Sequence, residues 1–310
     1  MKVQSVVQFM LGIIVLNTMM FSSTIKPIPL EIKVDDKKVK LGKKLFFDPI
    51  LSKDGTISCS TCHDLQNGGD DGLKFSVGIR GQIGTINSPT VYNAVFNFRQ
   101  FWDGRARDLK EQVFGPIENP VEMGHSMDLT VKTLKKNKAY LKEFNNIYSD
   151  GISTKNVADA IAEFETALIT PNAPFDRYLK GDKQAISQEA KEGYRLFEAK
   201  GCVICHHGVN IGGNFYNKFG IYKDANSSNL GRFNITKREE DKYVFKVPSL
   251  RNVDLTAPYM HDGRFDTLHD AVEFMTEHQL GRFMKSEEID AIVVFLKSLT
   301  GKIPEIVKLK

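Results

Sequence analysis

The sequence predicts a mainly α-helical chain built twice over, and three observations predict it. The pattern Cys-x-x-Cys-His occurs at Cys59, Cys62 and His63 and again at Cys202, Cys205 and His206. The surroundings repeat with it: Leu45-Phe46 and Gly68-Gly69 bracket the first copy as Leu196-Phe197 and Gly212-Gly213 bracket the second. Apolar residues recur at helical spacing in 129–148, 157–169, 188–199 and 287–299, whereas strand signals are short, as at 243–247.

In chain order, the first element is a nearly uncharged run. Only Lys2 is charged before Lys26, so residues 1–24 read as a secretory signal peptide or an uncleaved N-terminal membrane anchor. The Lys- and Asp-rich tract 31–44 reads as a polar lead-in rather than core. Residues 171–182 read as a linker dividing an N-terminal domain, 25–172, from a C-terminal one, 173–310, which agrees with a length of 310 at about 150 residues per domain. The Gly- and Asn-rich tract 210–234 reads as a long loop over the second motif. Lys and Arg number 42 against 38 Asp and Glu, a net charge of +4, too small and too evenly spread to suit nucleic acid.

Cys-x-x-Cys-His is the attachment signature of c-type haem. Two thiols three residues apart can add to the two vinyl groups of one porphyrin, and the next residue supplies the proximal imidazole. A thioredoxin-like pair does not need the histidine, and although zinc could use these ligands, export and the repeat favour haem. The chain therefore reads as two tandem class I cytochrome c-like domains, each with one covalently bound c-type haem. With all four cysteines committed, none remains for a structural disulfide.

The repeat also sets the halves against each other. Aligning Pro89 with Pro248 pairs Asp103-Gly104-Arg105 with Asp262-Gly263-Arg264, Leu109 with Leu268 and Val113 with Val272. Met275, on an apparent helix over 267–278, can then be the sixth ligand of the second haem iron, which raises its potential. The same alignment puts Pro116 in the first half, and proline cannot ligate. One haem is expected to carry electrons and the other to be free to bind a substrate.

The stretches Leu41–Pro49, Phe101-Trp102-Asp103-Gly104-Arg105, Gly115–Met123, Ala173-Pro174-Phe175-Asp176, Tyr243–Asn252 and Leu255–His261 resemble the bacterial di-haem cytochrome c peroxidases over about residues 40–302. The resemblance implies a periplasmic enzyme with two haem c groups and one Ca²⁺. It would reduce hydrogen peroxide to water at the N-terminal haem. Electrons would come from a small donor, such as a cytochrome c or a cupredoxin, and enter at the C-terminal haem. It further implies Glu122 as the distal glutamate, Gln112 as the distal glutamine, Trp102 as an electron relay, and Asn87, Thr256 and Pro258 as calcium ligands. Family members are commonly homodimers, but no sequence feature adds to that. By spacing alone Glu122 would be an exposed loop carboxylate, and Glu118 is its neighbour in competition.

One position departs from the family. Many members carry a histidine after Ser-x-Gly that ligates the peroxidatic iron at rest, and in Ser76-Val77-Gly78-Ile79 that position holds isoleucine. The first haem is therefore expected to rest open or water-bound, with Met123, His125 and Met127 the only nearby substitutes. Two other functions fit the same architecture: a protein-modifying oxidase of the tryptophylquinone-forming type, which carries Tyr where Met275 stands, and a non-catalytic electron carrier or sensor.

Overall fold

The structure is a computed structural model that describes residues 24–308, so all but the last residue of the expected export segment lies outside the described residues. It is helical, with a single two-stranded antiparallel sheet among the described residues, β1 (Tyr216–Lys218) against β2 (Val244–Lys246). No described helix is long and apolar enough to cross a membrane.

Each half is organised by one pair of crossed helices. In the first, α1 (Asp36–Phe47) packs on α2 (Thr154–Thr166); in the second, α3 (Gln188–Ala199) packs on α4 (Ser286–Lys297). Glycine sets both crossings. A Cβ at Gly42 would collide with the carbonyl oxygen of Ala160, and one at Gly193 with that of Ala291. The crossing residues Leu45 and Phe46 are buried in the first half as Leu196 and Phe197 are in the second. Capping also matches: the Asp35 carboxylate accepts from Lys37 N and Lys38 N, and the Ser187 hydroxyl accepts from Ala190 N.

The repeat read from the sequence extends to the backbone. Asn93 and Asn252 both adopt left-handed conformations, with φ of 60° and 59°, and Phe101 and Met260 do so at 68° and 72°. Non-glycine residues rarely hold that geometry unless their surroundings fix it. Here Asn93 N donates to Leu168 O and its side chain bonds Thr170, while Asn252 reaches the same Thr170 from the other half. The two halves thus meet at one buried hydroxyl.

Several elements differ from the sequence reading. The tract 31–44 is no polar lead-in: it is mostly α1, whose lysines face outward while Val39 and Leu41 are buried. The segment 129–148 is two helices, Met127–Lys136 and Lys138–Ile147, because Asn137 caps the second with its side chain. The linker 171–182 contains the helix Pro174–Leu179, whose Phe175 and Asp176 are fully buried. Asp176 pairs with Arg251 at 2.7 Å, and Arg251 also donates to Lys26 O and Val209 O. That pair seats the N-terminal segment on the second half, where Ile25 joins the apolar cluster around Phe295. Reciprocally, Val307 near the C-terminal end joins the first-half cluster around Phe46.

Candidate active site

Two cavities, one in each half, collect the motif residues. The first, of about 440 Å³, is lined by Cys59, Cys62 and His63; the second, of about 240 Å³, by Cys202, Cys205 and His206. All four cysteines are free thiols. Burial pushes Cys59 up strongly and Cys62 and Cys202 to about 11, so these three sulfurs are neutral before any attachment. The imidazoles are preset as metal ligands. His63 Nδ1 lies 3.1 Å from Gly69 O and His206 Nδ1 3.3 Å from Ile211 O, which leaves each Nε2 free for a metal. Burial depresses the pKa of both, His206 to about 4, keeping the rings in the neutral form that ligates. Apolar walls, paired thiols and an anchored neutral imidazole fit a covalently bound haem.

The first cavity holds the candidate catalytic groups. Glu122, Gln112 and Pro116 line it; Glu118 does not, and its carboxylate instead accepts from Met127 N. Burial raises the Glu122 pKa against the opposing pull of Asn119 and Arg105. Asn119 Nδ2 donates to Glu122 Oε1 at 2.6 Å, which fixes the carboxylate. Arg105 sits over the Phe101 ring, 3.5 Å from its centroid, and pairs with Asp103 at 3.0 Å.

Ile79 does not line this cavity. It is buried, its amide donates to Glu122 O at 2.7 Å, and its side chain packs beside Gly124. The loop around it is tied down by Gly78 N to Gln82 O and by Gln82 Nε2 to Pro120 O. Of the possible substitute ligands, Met123 lines the cavity and His125 and Met127 do not.

In the second cavity Met275 and His206 are both wall residues. The helix expected over 267–278 is α-helical only for Leu268–Phe274; Met275–Gln279 form a π-turn, a widening that often marks a functional position. His278 stacks on Phe274 with centroids 4.0 Å apart.

Trp102 lines both cavities. Its Nε1 donates to Asn87 O, and its ring meets His261 edge-on with centroids 6.1 Å apart. His261 is buried, stacked on Phe245 and bonded to Ser227, and burial lowers its pKa to about 4. Asn87, Thr256 and Pro258 also come together in one wall. Asn87 spends its amide NH on Leu73 O, which leaves its oxygen as a donor for a cation. Oxygens from these three residues are the donor type that a hard divalent ion takes. Both carboxylate oxygens of Asp70 are buried without a hydrogen-bond partner among the described residues, and burial raises its pKa to about 7.

The sequence reading passed over several wall residues. The tract 210–234, expected as a long loop over the second motif, also crosses to the first half. Asn229 lines the first cavity, Arg232 donates to Asp103 O, and Tyr216 OH donates to Gly104 O. Arg105 and Asn119 lay within quoted motifs but had no role assigned. Lys246 in the second wall likewise lay within a quoted stretch without a role, and Glu165 in the first lay in none.

Comparison with known proteins agrees with this geometry. A family model described as di-haem cytochrome c peroxidase matches residues 36–184. "Cytochrome c551 peroxidase" of Nitrosomonas europaea is 46% identical over 292 residues, covering 93% of this chain and 87% of that protein. "Cytochrome c peroxidase Ccp" of Escherichia coli is 47% identical over 283 residues; the match covers 89% of this chain but spans only 61% of that relative. Among solved structures, a MauG-like protein associated with microbial copper homeostasis superposes with a TM-score of 0.78 at 26% identity, covering 90% of this chain and 93% of that one.

Proposed function

The chain belongs to the di-haem cytochrome c peroxidase family, and on that premise we propose that it reduces hydrogen peroxide to water using two unequal c-type haems. Each half is a cytochrome c-like domain, 25–172 and 173–310, with Cys59 and Cys62 or Cys202 and Cys205 forming the thioether links. The observation that carries this reading is the asymmetry of equivalent wall positions: Met275 faces the second cavity, and Pro116, with Glu122 and Gln112 alongside, faces the first.

When bound, the first haem supplies redox-active iron, and peroxide takes up two electrons and two protons to give two waters. The chain's own contribution is proton handling. Glu122, made more basic by burial and held by Asn119, takes the proton from one peroxide oxygen and returns it to the other. Gln112 and Arg105 supply donors that hold the substrate. Electrons enter at the second half, where Ile204 between the two cysteines is 73% exposed and Phe283 is 90% exposed, an apolar landing place for a small redox protein. Trp102, shared by both walls, relays them to the first.

The tethered, buried Ile79 supports an oxidised first haem with no histidine to displace, and hence no need for reductive activation. Asn87, Thr256 and Pro258 hold a calcium ion where the halves meet. The N-terminal run of 1–24 directs the rest to the periplasm. Steady-state peroxide consumption with a reduced cytochrome c or cupredoxin tests the activity. Protein carrying both haems that consumes no peroxide with either donor would overturn it. A six-coordinate bis-histidine signal from the oxidised first haem in electron paramagnetic resonance would overturn the reading of Ile79.

A further inference from the structure

The two crossings give an internal control for every residue near a haem. Ala160 O faces Gly42 and Ala291 O faces Gly193, and the Cβ atoms of Phe164 and Phe295 lie beside the same two glycines. One residue further on, Glu165 and Leu296 are therefore equivalent, and each lines the cavity of its own half. They are 5% and 3% exposed. Leu296 continues an apolar wall. Glu165 puts a carboxyl in the same place, with Oε2 buried and lacking a hydrogen-bond partner among the described residues. Burial raises its pKa to about 8.

A buried carboxyl with an unpartnered oxygen is destabilising. Packing does not require it, since leucine fills the same site in the other half. The charged side chains of the two walls follow one pattern. The first has Glu122, Glu165 and the mutually paired Asp103 and Arg105; the second has only Lys218 and Lys246. Lys246 is 6% exposed. A carboxylate near one redox centre and an ammonium near the other act in opposite directions, and strongly so where water is excluded.

We propose that Glu165 is a positioning residue that holds down the reduction potential of the first haem, a task Leu296 does not perform for the second. The proposal rests on the di-haem reading above. The oxidised haem carries one more positive charge than the reduced haem. A carboxylate in the wall therefore favours the oxidised form, and one-electron reduction has to overcome that attraction. The positive charge of the oxidised haem in turn draws Glu165 toward its ionised form.

The test is potentiometric titration of each haem in the full holoprotein, with wild type, Glu165→Gln, Glu165→Leu and Leu296→Glu. Haem content is measured by pyridine haemochrome. Glu165→Gln keeps the shape and is expected to favour reduction of the first haem about tenfold, 59 mV for a one-electron couple. The second haem should not move. Glu165→Leu should do the same, and Leu296→Glu should lower the second potential instead. Unequal haems whose first potential is unmoved in both Glu165 variants would overturn the role of Glu165 alone. Two equal potentials in the wild type would overturn the reading of unequal haems on which it rests.

Discussion

The two cavities share a frame and differ in their walls. Crossed helices, left-handed turns at Asn93 and Asn252, and an imidazole tied through Nδ1 recur in both. What differs is one side chain per position: Pro116 against Met275, Trp102 against His261, Glu165 against Leu296. The first cavity is also the larger, about 440 Å³ against 240 Å³, and it alone contains carboxylates. The difference teaches that one frame can be built twice while a few side chains give its two walls different chemistry.

The largest expected effect breaks the comparison on the chemical side. Glu122→Gln should lower peroxide turnover by about 100- to 10,000-fold, measured in the steady state, with the potential of the second haem unchanged. Glu118→Gln, outside the cavity, should leave turnover nearly intact. Next is Met275→Leu, a volume-conserving change expected to cost under about 1.5 kcal/mol of stability while lowering the potential of the second haem and leaving the first in place. Equal losses at both haems would show that Met275 packs rather than ligates.

Two further predictions concern the frame. Gly42→Ala and Gly193→Ala should each cost about 1–3 kcal/mol in denaturant unfolding, and comparable losses would confirm that the crossings are equivalent. The smallest effect separates Asp159 from Asp290 at corresponding positions of α2 and α4. Burial would raise the Asp159 pKa, but hydrogen bonds from Lys110, Lys38 and Tyr148 hold it down to about 2. A depressed carboxylate stabilises the fold at neutral pH and loses that contribution as pH falls through about 2. Asp159→Asn should therefore cost about 1–2 kcal/mol at pH 7 and far less near pH 2. Asp290, with its side chain 58% exposed, should tolerate the same change within about 0.5 kcal/mol.

Much of the frame was legible because duplication prints it twice. The helix Gln188–Ala199 agrees with its periodicity residue for residue, since Ser187 caps it and Lys200 ends it. The helix α1 escaped notice because its many lysines outweigh Val39 and Leu41 in composition, although its buried stripe is intact. Asp176 and Arg251 lie in stretches that carry the family resemblance, and their joining into a buried ion pair requires knowing what each touches. Glu165 had one readable signal, a carboxylate at a helix position where the second half has leucine. It becomes visible only when the last helix of each half is aligned, separately from the alignment through Pro89 and Pro248. Asn229 had none, because its place depends on a loop crossing between halves.

The exchange of chain ends reaches beyond packing. Ile25 is held by the second half, and Val307, with Lys43 Nζ donating to Ile306 O at 2.7 Å, is held by the first. Among the described residues, each end of the chain therefore completes the apolar cluster of the half that is farther away in sequence. By the same logic, a protease that trims either terminus should injure the half farther away in sequence.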